Sequence, residues 1–237
     1  MPMMERQLEL CSARVIMLRG GMPLSNVVFF DGVDDYVDCG NNVSLQITAA
    51  ITVDVLARRD KTGSYSVFAY KWVPGQGFIM AAEVLTNKLR VYISPGGSYV
   101  TVGDVLTLGR WQRLAFTWST ADNLIRIYVD GNLVGTSGAI TPLTDSGASF
   151  KTTYPSGGFS YLAGLVAQVA VYNRVLTSDE IYYNYAHPNN PKRRGLVLNL
   201  TQDSIYGPTW LDLSGNANNG TYVGGAVPVS SNRLAGR

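Results

Sequence analysis

Seven stretches of this chain alternate apolar and polar residues with a period of two, and that period restricts the chain to β-structure. They are ITVDVLARR (Ile51 to Arg59), SVFAYKW (Ser66 to Trp72), GFIMAAEV (Gly77 to Val84), KLRVYIS (Lys88 to Ser94), WQRLAFTW (Trp111 to Trp118), NLIRIYVD (Asn123 to Asp130) and YLAGLVAQVAVYN (Tyr161 to Asn173). Each is rich in β-branched or aromatic residues and bounded by turn-forming ones. Within YVDGNLVG, Asp130-Gly131 supplies the positive φ angles of a two-residue hairpin, so its flanking strands pair antiparallel. One segment is helical in pattern. In LTSDEIYYNYAH (Leu176 to His187), Thr177 and Glu180 form a capping box, and Pro188 ends the turn. Many strands and one short helix predict an all-β fold, an antiparallel two-sheet β-sandwich with about six or seven strands per sheet.

Charge narrows the function classes. Only 15% of the 237 residues are charged, against about 25% in an ordinary soluble domain, and the net charge is +2. The single basic run is PKRRG (Pro191 to Gly195), too little for a phosphate-binding surface, so nucleic acid is not expected as a partner. No window approaches the roughly 18 apolar residues of a membrane span, so no membrane insertion is expected. Glu5, Arg6, Glu9 and Arg14 interrupt the first residues, which do not read as a secretory signal. Cys11 and Cys39 make neither a disulfide framework nor a zinc site, and whether they bridge stays open.

Three phrases, VVFFDGVDDYVDCG (Val27 to Gly40), GRWQRLAFTWSTADNLIRIYVDGNLVG (Gly109 to Gly135) and GLVAQVAVYNRVLTSDEIYYNY (Gly164 to Tyr185), resemble successive hallmarks of laminin-G-like, concanavalin-A-like jelly rolls, in that family's order. The resemblance implies a jelly roll over residues 27–193, preceded by an extension, residues 1–26, in which Ala13 to Gly20 reads as an extra strand. Residues 194–237 resemble the family's opening strands at the wrong end of the chain. They are expected to complete the same domain or to be exchanged with a neighbour, because an unpaired strand seeks an edge.

Candidate sites follow from residue types. Asp31, Asp34 and Asp35 crowd one turn. Asp is common in turns because its carboxylate bonds local amides, and a turn role is the first reading. Calcium is the second, because a hard cation wants several carboxylate and carbonyl oxygens and the resemblance places calcium in this neighbourhood. In the strand after the turn, Tyr36 is expected to face the core and Asp38 the solvent. Glycoside hydrolysis needs a pair of carboxylates flanking the bond, and none of Glu5, Glu9, Glu83 and Glu180 has an acidic partner at strand spacing. His187, the one histidine, lies in a polar turn without a nucleophile elbow elsewhere. Cys39 is expected to pack as a small hydrophobe. Trp72, Trp111, Trp118 and Trp210 are expected in the core. For a glycan, the candidate rings are Tyr99, Tyr154 and Tyr161, in two long polar loops.

The chain is therefore expected to be non-enzymatic. The resemblance implies a structural or recognition protein of a virus particle or cell surface, partnered by copies of itself or by other particle proteins and located on a virion or extracellular surface. The alternative is a carbohydrate-binding module, with calcium as its only candidate cofactor.

Overall fold

The computed structural model describes residues 26–63, 65–94, 98–140, 142–154 and 159–230. The strand expected at Ala13 to Gly20, together with Cys11, lies outside them. Sixteen strands and one α-helix make up the described chain. In order, the strands are β1 (Asn26–Asp31), β2 (Tyr36–Asp38), β3 (Ala50–Arg59), β4 (Ser66–Val73), β5 (Gln76–Ala82), β6 (Leu89–Ser94), β7 (Ser98–Val102), β8 (Trp111–Ser119), β9 (Arg126–Val129), β10 (Asn132–Thr136), β11 (Lys151–Thr152) and β12 (Ala163–Tyr172). Helix α1 (Ser178–Ala186) follows, and then β13 (Leu196–Tyr206), β14 (Thr209–Asp212), β15 (Gly220–Val223) and β16 (Val227–Ser230).

All named strand pairs are antiparallel, and they form one hydrogen-bonded path that folds over on itself. One layer runs β10-β9-β8-β3-β12-β13, with β1 beside β12 and β16 beside β1; the other runs β14-β15-β2-β11-β4-β5-β6-β7. The corner is β13, whose register shifts between Leu200, paired with Asp212, and Ile205, paired with Trp210. The far ends of the path meet where Gly135 on β10 sits against Val102 on β7, with no room for a side chain at Gly135.

Alternation decides what fills the space between the layers. Ile51, Val53, Val55 and Ala57 of β3 and Leu114, Phe116 and Trp118 of β8 face Phe78, Met80 and Ala82 of β5 and Leu89, Val91 and Ile93 of β6. Phe78 meets Phe116 edge-on across the layers, at 5.4 Å between centroids. Burying side chains of this size stabilises the fold by about 1.5–3 kcal/mol each. Trp118 and Trp210 lie in this core, whereas Trp72 and Trp111 are half-buried.

The hairpin and the helix form as their sequences dictate. Asp130 and Gly131 have φ of 49° and 81°, and Asn132 then pairs with Val129. Thr177 caps α1, with both halves of the capping box made, and Arg174 grips Glu180 through two bonds of 2.7 Å. That pairing holds the Glu180 carboxyl below its ordinary range. Helix α1 lies on the outer face of β3, β8 and β12, and for this reason polar Thr52 and Asp54 on β3 are buried.

The segment after α1 contributes strands to both layers of its own chain. β13 pairs with β12, β15 with β2 and β16 with β1.

Candidate functional site

The three aspartates of the first turn have different tasks. Asp35 is 1% exposed and holds the turn together. One of its carboxylate oxygens accepts the Asp31 amide at 2.8 Å, and the other accepts the Gly225 amide from the loop between β15 and β16. Burial raises its pKa above the ordinary value, and the two amide bonds oppose that rise. Asp31 accepts the Val33 amide at 2.7 Å, the local bond expected of an Asp at the start of a turn. The Asp34 carboxylate is exposed and has no hydrogen-bond partner among the described residues.

One ligand atom from each of these residues lies within 4.8 Å of the others, a spacing open to a hard cation. Asp35 has both oxygens committed to amides, so Asp31 and Asp34 would have to supply the free ones. The hydrogen bonds favour the turn role. Asp35→Asn is therefore expected to cost about 1.5–3 kcal/mol, because an amide replaces one acceptor of a charge-assisted bond. The loss should be equal with calcium and with a chelator, read by thermal melting. A melting temperature of the parent that rises with calcium, and stops rising in Asp34→Asn, would establish the cation instead.

β2 departs from the sequence expectation. Val37 faces the core at 0% exposure, and Tyr36 shares the outer face with Asp38, as residues two apart on a strand must. Tyr36 there joins Tyr154 and Tyr161. The Tyr36 and Tyr161 rings are near parallel, 27° apart with centroids 6.4 Å apart, and Tyr154 stands across both at 75° and 83°. The Lys151 ammonium sits 3.8 Å from the Tyr154 centroid and 5.0 Å from that of Tyr36. Burial, ahead of neighbouring charges, raises the Tyr36 and Tyr161 phenols above their ordinary pKa. Both therefore stay neutral hydroxyls, able to donate and accept.

From this corner an aromatic file crosses the outer face of the second layer, over Tyr70 and Ile79, which are buried at 5% and 2% exposure beneath the rings around them. Lys151 pairs directly with Tyr70, Tyr70 with Ile79, Ile79 with Tyr92 and Tyr92 with Tyr99. Trp72 packs edge-on against Tyr92 at 4.8 Å, and Tyr70 against Tyr154 at 5.2 Å. Tyr99 is 54% exposed, parallel to Tyr92, with the Arg90 guanidinium 4.3 Å from its centroid. Tyr99 was expected in a loop, but it lies within β7. Of the three candidate rings, the structure brings Tyr154 and Tyr161 together and places Tyr99 at the opposite end of the same file. The sequence reading missed Tyr36, Tyr70, Trp72 and Tyr92.

Glu83 and Glu180 have structural occupations. Glu83 pairs with Arg90 and accepts the Thr101 hydroxyl at 3.1 Å, and Glu180 serves the helix cap. Cys39 is buried in the core, where desolvation pushes its thiol far up. His187 is exposed and stacks on Tyr183. No helix among the described residues is long and apolar enough to cross a membrane.

Residues 31–182 match the profile of a laminin-G-like family described as the concanavalin A-like lectin/glucanases superfamily. No curated protein matches by sequence. Among solved structures, a Bacteroides ovatus protein to which carbohydrate binding is ascribed superposes with a TM-score of 0.67 at 18% identity, over 89% of this chain and 61% of its own. This chain thus spans about three fifths of that protein. A heptameric SAP-like pentraxin from Limulus polyphemus gives a TM-score of 0.57 at 17% identity, over 87% of this chain and 94% of its own. The CBM40 module of a Ruminococcus gnavus sialidase, solved with α2,3-sialyllactose, gives 0.51 at 11% identity, over 65% of this chain and 96% of its own. At these identities the likeness is one of fold.

Proposed function

The chain belongs to the concanavalin A-like lectin/glucanases superfamily, and on that footing we propose that it is a non-enzymatic carbohydrate-binding module. Its binding surface is the outer face of β2, β11 and β4 to β7. The observation that carries this reading is the file of aromatic side chains from Tyr36 and Tyr161 to Tyr99 on one sheet face. Sugar rings present apolar C–H faces that pack on aromatic faces, and their hydroxyls suit the neutral phenols at the edges. Such a binding role is in keeping with the carbohydrate-linked relatives by fold. Catalysis has no comparable support, since Glu83 and Glu180 are held by arginines.

The other role implied by the resemblance is a structural part of a virus particle or cell surface, built through self-association. It rests on the resemblance alone, and the aromatic face does not favour it.

A glycan array probed with the purified chain tests the proposal. Binding to a defined set of glycans is expected, and Trp72→Ala should weaken it about tenfold or more while the protein still melts cooperatively. A folded protein that binds no glycan on the array, or an unaffected Trp72→Ala variant, would overturn it.

A further inference from the structure

We propose that the aromatic face takes an extended, uncharged polysaccharide chain laid across the strands, rather than one terminal or acidic sugar. This rests on the carbohydrate-binding reading and adds its ligand class. Length is the first argument. Asp38, Lys151, Tyr70, Ile79, Tyr92 and Tyr99 are direct cross-strand neighbours on β2, β11, β4, β5, β6 and β7. Their five interstrand steps of about 4.8 Å span roughly 24 Å, the length of several pyranose rings end to end. Tyr70 and Ile79, at 5% and 2% exposure, are the buried floor of that span, so contact falls to the rings around them. Rings stand at both ends and the middle, with Tyr36, Tyr154 and Tyr161 at one end, Trp72 and Tyr92 between, and exposed Tyr99 at the other. One sugar would use a single station; a chain uses all three.

Charge is the second argument. Two cations of the face, Lys151 and Arg90, already have carboxylate partners, Lys151 with Asp38 at 3.7 Å and Arg90 with Glu83. Both cations also sit against aromatic rings of the face. An acidic sugar would have to compete for them, and it would meet the exposed Asp34 carboxylate beside Tyr161. A neutral polyol meets no such repulsion and leaves no buried charge unmatched.

Calorimetric titration with linear neutral β-glucan and mannan oligosaccharides, from the disaccharide to the hexasaccharide, tests the inference, with sialyllactose and oligogalacturonate as acidic controls. In the series that binds, affinity is expected to rise about tenfold or more from disaccharide to hexasaccharide. Tyr99→Ala and Tyr161→Ala, at opposite ends, should each weaken the hexasaccharide, whereas the disaccharide should respond to at most one of them. Affinity independent of length, or tighter binding of either acidic control, would overturn the inference and leave the carbohydrate-binding reading standing. A folded protein that binds nothing in the panel or on the array would remove both.

Discussion

A chain ending at Pro191 is expected to lose its cooperative melting transition. The removed segment holds Leu198, Leu200 and Trp210, all at 0% exposure in the central core. Their burial contributes about 1.5–3 kcal/mol each, roughly 5–9 together, against a total stability of about 5–15 kcal/mol for an ordinary domain. The Trp210 indole N–H also donates to the Thr201 carbonyl at 2.7 Å, and the Asn218 amide reaches both Val197 and Ser44. Without these strands β12, β2 and β1 each lose a neighbour, and unpaired edges promote aggregation. Circular dichroism on heating and size-exclusion chromatography check this. A truncated protein that stays a folded monomer with unchanged melting would show the segment to be dispensable.

Arg113→Ala is expected to cost about 3–5 kcal/mol, the largest effect foreseen for a single substitution, because it strands a buried carboxylate. Arg113 on β8 and Asp54 on β3 are joined by two bonds, 2.7 and 3.0 Å, with side chains only 3% and 1% exposed. Asn184 of α1 donates to the same carboxylate at 3.3 Å and to the Tyr172 hydroxyl, so the pair also anchors the helix. Replacing both partners together, Arg113→Met with Asp54→Leu, should cost far less, since no unpaired charge remains. Urea denaturation of the two variants separates these outcomes. A single variant within about 1 kcal/mol of the parent would mean that Asp54 finds another partner or water.

The strands facing the core were legible because a single period places every side chain. The predicted stretch from Ile51 to Arg59 became β3 (Ala50–Arg59), and that from Trp111 to Trp118 became β8 (Trp111–Ser119). The aromatic face was not, and one bulge explains much of this. Phe68, Tyr70 and Trp72 sit two apart and read as one inward face. The register shifts between Val67 and Ala69, however, which leaves Phe68 and Ala69 in the core and turns Tyr70 and Trp72 outward. Lys71 is turned inward by the same shift, where it bonds Asn41, Asp145 and the Ala148 carbonyl. At Tyr36 the error was one of parity, correctable from the neighbouring valine. β7 was read as part of a polar loop because it follows a Gly-rich stretch, although Tyr99, Val100, Thr101 and Val102 are the residue types of a strand. For the acidic turn, the sequence marked the three carboxylates but could not tell the buried clasp, Asp35, from the exposed Asp34. That distinction depends on Gly225, 190 positions away.

The most direct test of the carbohydrate-binding account is amide and side-chain chemical-shift mapping of the folded chain, titrated with a neutral oligosaccharide that binds it. The account predicts that the shifted signals fall on Tyr36, Tyr70, Trp72, Tyr92, Tyr99, Tyr154 and Tyr161 and their strand neighbours. Shifts confined instead to the groove beside α1, around Arg110, Tyr182 and Tyr185, would contradict it.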